Sequence, residues 1–155
     1  MSVSLEVGSK APDFSCASDG DSQISLADYA GKKLVIYFYP KDDTPGCTTE
    51  AIEFTAQAGA FATANTEIVG VSADSVEKHE KFKTKHNLGV TLLSDPDQKM
   101  LEAYGVWVEK NMYGKKYMGI ERATFLVGED GKILHIWRKV RVKGHVDAVL
   151  ETVGA

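Results

Sequence analysis

Cys47 is the residue of this chain best placed to do covalent chemistry. It follows a run of turn-forming residues, Asp42-Asp43-Thr44-Pro45-Gly46, and opens a segment rich in Ala, Glu and Phe at helical spacing. A cysteine in a first helical turn meets the positive end of the helix dipole and N–H groups with no intrahelical partner, and both stabilise a thiolate. The effect is large. A thiol with the ordinary pKa of about 8.5 is only about 3% ionised at pH 7, whereas one lowered to about 6 is roughly 90% ionised. The bland alternative is a buried structural cysteine. Its flanks, Pro45-Gly46 and Thr48-Thr49 at a helix start, weigh against that. Thr44-Pro45-Gly46-Cys47 also has the layout of a C-x-x-C dithiol whose first cysteine is threonine. Such a site cannot close the usual internal disulfide, but the hydroxyl can donate to and accept from a polar substrate.

The rest of the inventory narrows the chemistry. The only other cysteine is Cys16, so neither a disulfide scaffold nor a closed all-cysteine zinc site is available. His79, His86, His135 and His145 form no metal-ligand spacing, so no metal or other cofactor is expected. Nor does the sequence place a histidine base beside Cys47, as a cysteine protease would need. A net charge of −4 repels phosphate polymers, which argues against a nucleic-acid partner. Two basic stretches stand out locally. Lys110, Lys115 and Lys116 interleave with Tyr113 and Tyr117, and Lys139, Arg141 and Lys143 alternate with Val140 and Val142 at the period of a half-exposed strand.

These residues need a scaffold, and the chain reads as one α/β domain spanning 1–155. Its 43% hydrophobic and 26% charged content fit an ordinary core. The longest apolar and aromatic stretch, 34–39, is far too short to span a membrane. The opening Met1-Ser2-Val3-Ser4-Leu5-Glu6 lacks a secretory pattern, so a cytoplasmic location is expected. Strands are expected over 33–39, 67–72 and 90–93, with a closing hairpin over 123–127 and 132–137. Helices are expected from 47 to about 61, over 75–86 with a Ser75 cap, over 98–104, and from 145 through 153. Strand–helix alternation followed by a hairpin implies a mixed central sheet flanked by helices, the thioredoxin-like arrangement.

Pro40-Lys41-Asp42-Asp43-Thr44-Pro45-Gly46-Cys47 matches a PxxxTxxC signature, and on it the chain resembles the peroxiredoxins. Similarity extends to the preceding Tyr37-Phe38-Tyr39, the N-terminal Gly8 to Phe14 segment, the stretch from Tyr113 through Arg122 to Phe125, and Val142 to His145. Together these look like the bacterioferritin-comigratory, or PrxQ, branch, with the N-terminal extension typical of peroxiredoxins. The resemblance implies a peroxidatic Cys47 that attacks hydrogen peroxide or an organic hydroperoxide and becomes a sulfenic acid. It further implies an Arg122 guanidinium that holds the thiolate, a Thr44 hydroxyl that orients the peroxide, and a Pro40 that shields the sulfur from water. Glu50, one turn beyond Cys47, resembles the family glutamate that fixes the arginine.

The chain departs from the branch at the resolving cysteine. Five residues after Cys47 stands Ile52, and 75–86 contains no cysteine. Cys16 is the remaining candidate for a resolving cysteine; it lies where no common family resolving site lies, and outside that role it reads as a packing residue. The expectation is therefore a one-cysteine enzyme, a monomer or weak dimer, whose sulfenic acid is reduced by thioredoxin, glutaredoxin or a small thiol such as glutathione. The competing readings are a redox-sensing thiol switch with little turnover and a thioredoxin-like binding module with an inert cysteine. Peroxide turnover separates the first from the enzyme, and insensitivity to loss of Arg122 marks the second.

Overall fold

In the computed structural model, which describes residues 5–154, the strand carrying the chain toward Cys47 lies deep in a seven-stranded sheet. Met1-Ser2-Val3-Ser4, part of the opening on which the location expectation rests, and Ala155 lie outside the described residues. In sequence order the strands of this sheet are β1 (Ser15–Ser18), β2 (Ser22–Ser25), β3 (Lys33–Phe38), β4 (Thr66–Ser72), β5 (Thr91–Ser94), β8 (Ala123–Val127) and β9 (Ile133–Trp137). Their spatial order is β2-β1-β5-β4-β3-β8-β9, with β3, β4 and β5 mutually parallel and the others antiparallel to their neighbours. A strand buried on both faces reads as a continuous apolar run. Accordingly, Leu34 through Tyr39 are each at most 1% exposed.

Alternation along β3 assigns the two faces. Leu34, Ile36 and Phe38 pack with Cys16, Val71, Met100, Leu101, Tyr104 and Phe125. Val35, Tyr37 and Tyr39 pack with Cys47, Phe54, Phe61, Phe82, Leu92 and Val149 on the other side. Helices α1 (Pro45–Thr63), α2 (Val76–His86) and α4 (His145–Gly154) cover this second face, and α3 (Lys99–Ala103) covers the first. The fold is thus thioredoxin-like, with a mixed sheet between helices. Pro45 at the first position of α1 starts that helix two residues earlier than expected, since proline fixes a helical φ and its missing N–H is no loss there. Ser75 caps α2 by accepting from the Lys78 N–H at 3.2 Å.

Two hairpins appear beyond the expected elements, β1 with β2 in the main sheet and a second outside it, and one stretch with strand-like alternation does not form a strand. Lys110 to Tyr117 belongs to a separate hairpin, β6 (Trp107–Met112) with β7 (Lys115–Ile120), outside the main sheet. Its two turn residues, Tyr113 and Gly114, both have left-handed φ (52° and 80°), the twist that a two-residue hairpin turn requires. The alternating stretch 139–143 forms no strand. Its valines are half-buried and its basic residues exposed, as the alternation suggested, but Lys139 is left-handed (φ 49°) and the backbone bonds elsewhere. The Val140 N–H donates to the carbonyl of Arg122 at 3.0 Å, so this loop tethers the residue at the start of β8. No helix among the described residues is long and apolar enough to cross a membrane.

One core position has no room for a side chain. Gly70 on β4 pairs with Tyr37 on β3, and a Cβ on Gly70 would fall 2.6 Å from the Tyr37 ring. Tyr37 is stacked on Phe54 with ring centroids 4.6 Å apart and cannot withdraw. Gly70→Ala is expected to cost about 1–3 kcal/mol through overpacking, seen as a lower urea midpoint at unchanged slope.

Candidate active site

Cys47 is the third residue of α1, 1% exposed, with its sulfur against the second face of the sheet. Thr44 is the N-cap residue, yet its hydroxyl does not cap the helix. It donates instead to the carbonyl of Lys41 at 2.8 Å, which commits its proton and leaves its oxygen as an acceptor. The first-turn N–H groups of α1 therefore keep their full capacity to stabilise negative charge nearby. Pro40, just beyond β3, is exposed at the entrance of the loop that carries Thr44.

Arg122, immediately before β8, completes the cluster. Its Nη2 donates to Cys47 Sγ at 3.2 Å and its Nη1 to Glu50 Oε1 at 2.6 Å. One guanidinium thus spans a thiol and a carboxylate that sit one turn apart on α1. Burial works against the Arg122 charge, but Glu50 and Cys47 more than offset it and raise its pKa. Glu50 feels the opposite balance. It is fully buried, and burial outweighs the pull of Arg122, pushing its carboxyl up to about 7. Its second oxygen, Oε2, has no hydrogen-bond partner, as does the hydroxyl of Tyr37. Gly46 makes the arginine's reach possible, since a Cβ there would lie 3.2 Å from Nη2. Nothing in the sequence marked Gly46 beyond its turn character.

Two further groups were not legible as site residues. Lys110, half-buried on β6, is lowered by burial and by Arg122, while Cys47 and Glu121 oppose that, so it lies in the field of the same cluster. His145 is buried with Nε2 2.8 Å from Thr124 Oγ1. Burial and Arg122 push it down to about 4, so it is neutral at physiological pH and adds no charge to the site.

Cys16 is not brought to this cluster. It lies on the opposite face of the sheet, with its thiol 3.8 Å from the Met100 sulfur. Burial, reinforced by Asp95, pushes the Cys16 thiol up to about 12. About one molecule in 10⁴ would carry its thiolate at pH 8. Iodoacetamide at pH 8 is therefore expected to leave Cys16 unmodified in the folded protein and to label it once urea unfolds the chain, as peptide mass spectrometry would show. A hollow of about 470 Å³ beside Cys16, lined also by Asp13, Asp95 and Lys99, lies away from Cys47. The near-complete burial of Cys47 suits a substrate of very few atoms at the reacting end.

With this geometry in hand, known proteins give a consistent picture. The model of the AhpC/TSA family matches residues 7–136. Peroxiredoxin Bcp of Bacillus subtilis is 51% identical over 151 residues, covering 97% of this chain and 96% of its own. PrxQ of Xylella fastidiosa superposes with a TM-score of 0.93 at 37% identity, over 98% of this chain and 97% of that one. The bacterioferritin comigratory protein of Xanthomonas campestris, whose structures concern its alkyl peroxide reduction activity, superposes with a TM-score of 0.89 at 45% identity, over 99% and 98%.

Proposed function

Since this chain belongs to the AhpC/TSA family, as a thiol peroxidase akin to the Bcp and PrxQ peroxiredoxins, we propose that Cys47 is its peroxidatic residue and that it reduces both hydrogen peroxide and organic hydroperoxides. The observation that carries the assignment is the Arg122 guanidinium, bonded to Cys47 Sγ at 3.2 Å and to buried Glu50 at 2.6 Å.

The steps follow from that arrangement. The Cys47 thiolate attacks the terminal oxygen of R–O–O–H, forming an S–O bond as the O–O bond breaks. The electron pair leaves on RO⁻, which takes a proton to become water or an alcohol, and sulfur is oxidised by two electrons to Cys–SOH. Arg122 stabilises the charge as it passes from sulfur to the peroxide oxygens, and the first-turn N–H groups act in the same sense. The Thr44 oxygen, with its proton committed to Lys41, accepts a hydrogen bond from the peroxide O–H and so selects which oxygen faces sulfur. Pro40 limits water at the entrance, and Glu50 positions Arg122.

Reduction needs an external thiol. Attack of R′S⁻ on the sulfenic sulfur expels hydroxide, which takes a proton to become water, and gives a mixed disulfide, and a second thiol releases Cys47. Thioredoxin, glutaredoxin and glutathione are the reductants that fit, acting on a monomer or weak dimer. A reducing compartment such as the cytoplasm suits this cycle. Treatment with one equivalent of peroxide and then dimedone is the test. The expected product is a Cys47 peptide carrying the dimedone adduct of its sulfenic acid, and an internal Cys16–Cys47 disulfide would overturn external resolution.

A further inference from the structure

Tyr113, at the tip of the β6–β7 hairpin, is fully exposed and held at a left-handed φ of 52°. A bulky side chain disfavours that backbone conformation, whereas asparagine adopts it readily and would complete an Asn-Gly pair with Gly114. At full exposure the tyrosine ring gains no packing within the fold to offset this. The turn thus carries an aromatic side chain that the hairpin itself does not need.

Register assembles a surface around it. Lys110 lies opposite Tyr117 and Met112 opposite Lys115, so these four share one face of the hairpin. Gly119 lets the first pair lie flat, since a Cβ there would fall 3.2 Å from the Lys110 stem and 3.4 Å from the Tyr117 ring. Met112 and Tyr117 are exposed, and the face carries two lysines and no acid. On the reverse face Lys116 lies 3.7 Å from Glu109. Residues 107–120 therefore hold three lysines against one acid, in a chain whose net charge is −4. Exposed tyrosine and methionine are the side chains that protein interfaces favour, and a basic rim selects an acidic partner.

The hairpin's place decides the size of that partner. Its root leads within two residues to Arg122, whose Nη2 bonds Cys47 Sγ, and Lys110 lies in the field of the same pair. From Trp107 to Met112 the strand then rises about 17 Å. A small thiol with its sulfur at Cys47 stays near the root. A protein presenting its thiol there is broad enough to lie along the hairpin as far as Tyr113.

We propose that Lys110, Met112, Tyr113, Lys115 and Tyr117 form the docking surface for a protein reductant whose reactive thiol is ringed by apolar and acidic side chains. This rests on the peroxidase reading above, and among its reductants it selects a protein over a small thiol. Tyr113 is the aromatic anchor, and the lysines steer an acidic partner to this face while the negative remainder of the chain repels it elsewhere.

Tyr113→Asn tests the surface and leaves the fold intact, because Asn-Gly is the pair this turn favours. Peroxide turnover is measured with thioredoxin or glutaredoxin, whichever is faster, and separately with dithiothreitol. The ratio of kcat/KM for the protein reductant to that for dithiothreitol cancels any change at Cys47 itself. In Tyr113→Asn this ratio is expected to fall roughly tenfold, through KM rather than kcat, as loss of an interface anchor does. Lys115→Glu should lower it roughly fivefold, and added salt should slow the protein reductant less in that variant than in wild type. A ratio in Tyr113→Asn that stays within about twofold of wild type overturns the docking surface. So does a wild type that turns over with dithiothreitol and glutathione but with neither protein. Loss of a concentration-dependent dimer in Tyr113→Asn at an unchanged ratio would assign the face to a second copy of this chain and overturn the proposal equally. A wild type that consumes no peroxide with dithiothreitol overturns the peroxidase reading and this inference with it.

Discussion

Cys47→Ser is expected to abolish peroxide consumption with dithiothreitol as reductant, lowering turnover by roughly 10⁴-fold or more. A serine hydroxyl at this position is not ionised near neutrality, and oxygen cannot reproduce the two-electron oxidation that sulfur undergoes. Cys16→Ala provides the contrast. Cys16 lies on the opposite face of the sheet, with its thiol held protonated at a pKa of about 12, so its removal is expected to leave turnover within about twofold of wild type. Dithiothreitol replaces the physiological reductant, so the comparison reports on the protein's own chemistry. Equal loss in both variants would mean that Cys16 takes part in the cycle. Equal retention would leave Cys47 without a catalytic role.

Arg122→Gln is expected to slow Cys47 oxidation by roughly 10²–10³-fold, the effect of removing one preorganised donor from a developing charge. Arg122→Lys should recover only part of this, because an ammonium cannot reach Cys47 Sγ and Glu50 Oε1 at once as the guanidinium does, at 3.2 and 2.6 Å. Stability carries a distinct signature. In the wild type Glu50 has a folded pKa of about 7 against an ordinary 4.5. The folded state therefore binds a proton more tightly than the unfolded chain over that window. The associated stability is fully present below pH 4.5 and is lost as pH rises through 7. Without Arg122 the carboxyl should move higher still, since the lost partner was the group holding it down. The variant should thus unfold close to wild type in acid and fall increasingly behind above neutrality. Urea unfolding at pH 5, 7 and 9 would show this widening gap, and a gap independent of pH would mean that Glu50 is not the group responsible.

Much of this site was readable because its chemistry is local. The loop and the start of α1 are eight consecutive residues, and helical spacing alone puts Glu50 one turn beyond Cys47. Arg122 is 75 residues away, and only the resemblance of its neighbourhood pointed to it, because no periodicity reports a contact of that range. The buried contact between Asp42 Oδ2 and Nδ1 of His79, at 2.6 Å, escaped because α2 reads as a charged helix. The available signal was His79 three residues before Phe82, on the one face that buries apolar surface, where a histidine needs partners for both nitrogens. The β6–β7 hairpin escaped for a different reason. Its strands are largely polar and exposed, and its Tyr113-Gly114 turn lacks the Asn-Gly or Asp-Gly pair that announces such turns. The stretch 139–143 misled because exposure alternates along it although it pairs with no strand. Alternation reports a half-buried path, and only hydrogen-bond partners make that path a sheet.

The seven-stranded sheet also acts as an insulator between the two sulfurs. On the proposed one-cysteine cycle, an oxidising equivalent captured at Cys47 has no internal place to be stored, so each turn of that cycle must hand it to another molecule. The oxidised enzyme's lifetime then scales inversely with the concentration of free thiol around it. When peroxide arrives faster than thiol, the sulfenic acid meets a second peroxide before it meets a reductant and passes to the sulfinic state. Throughput in such a protein is set by the surrounding thiol pool, and loss of activity over time becomes a record of how often that pool fell short.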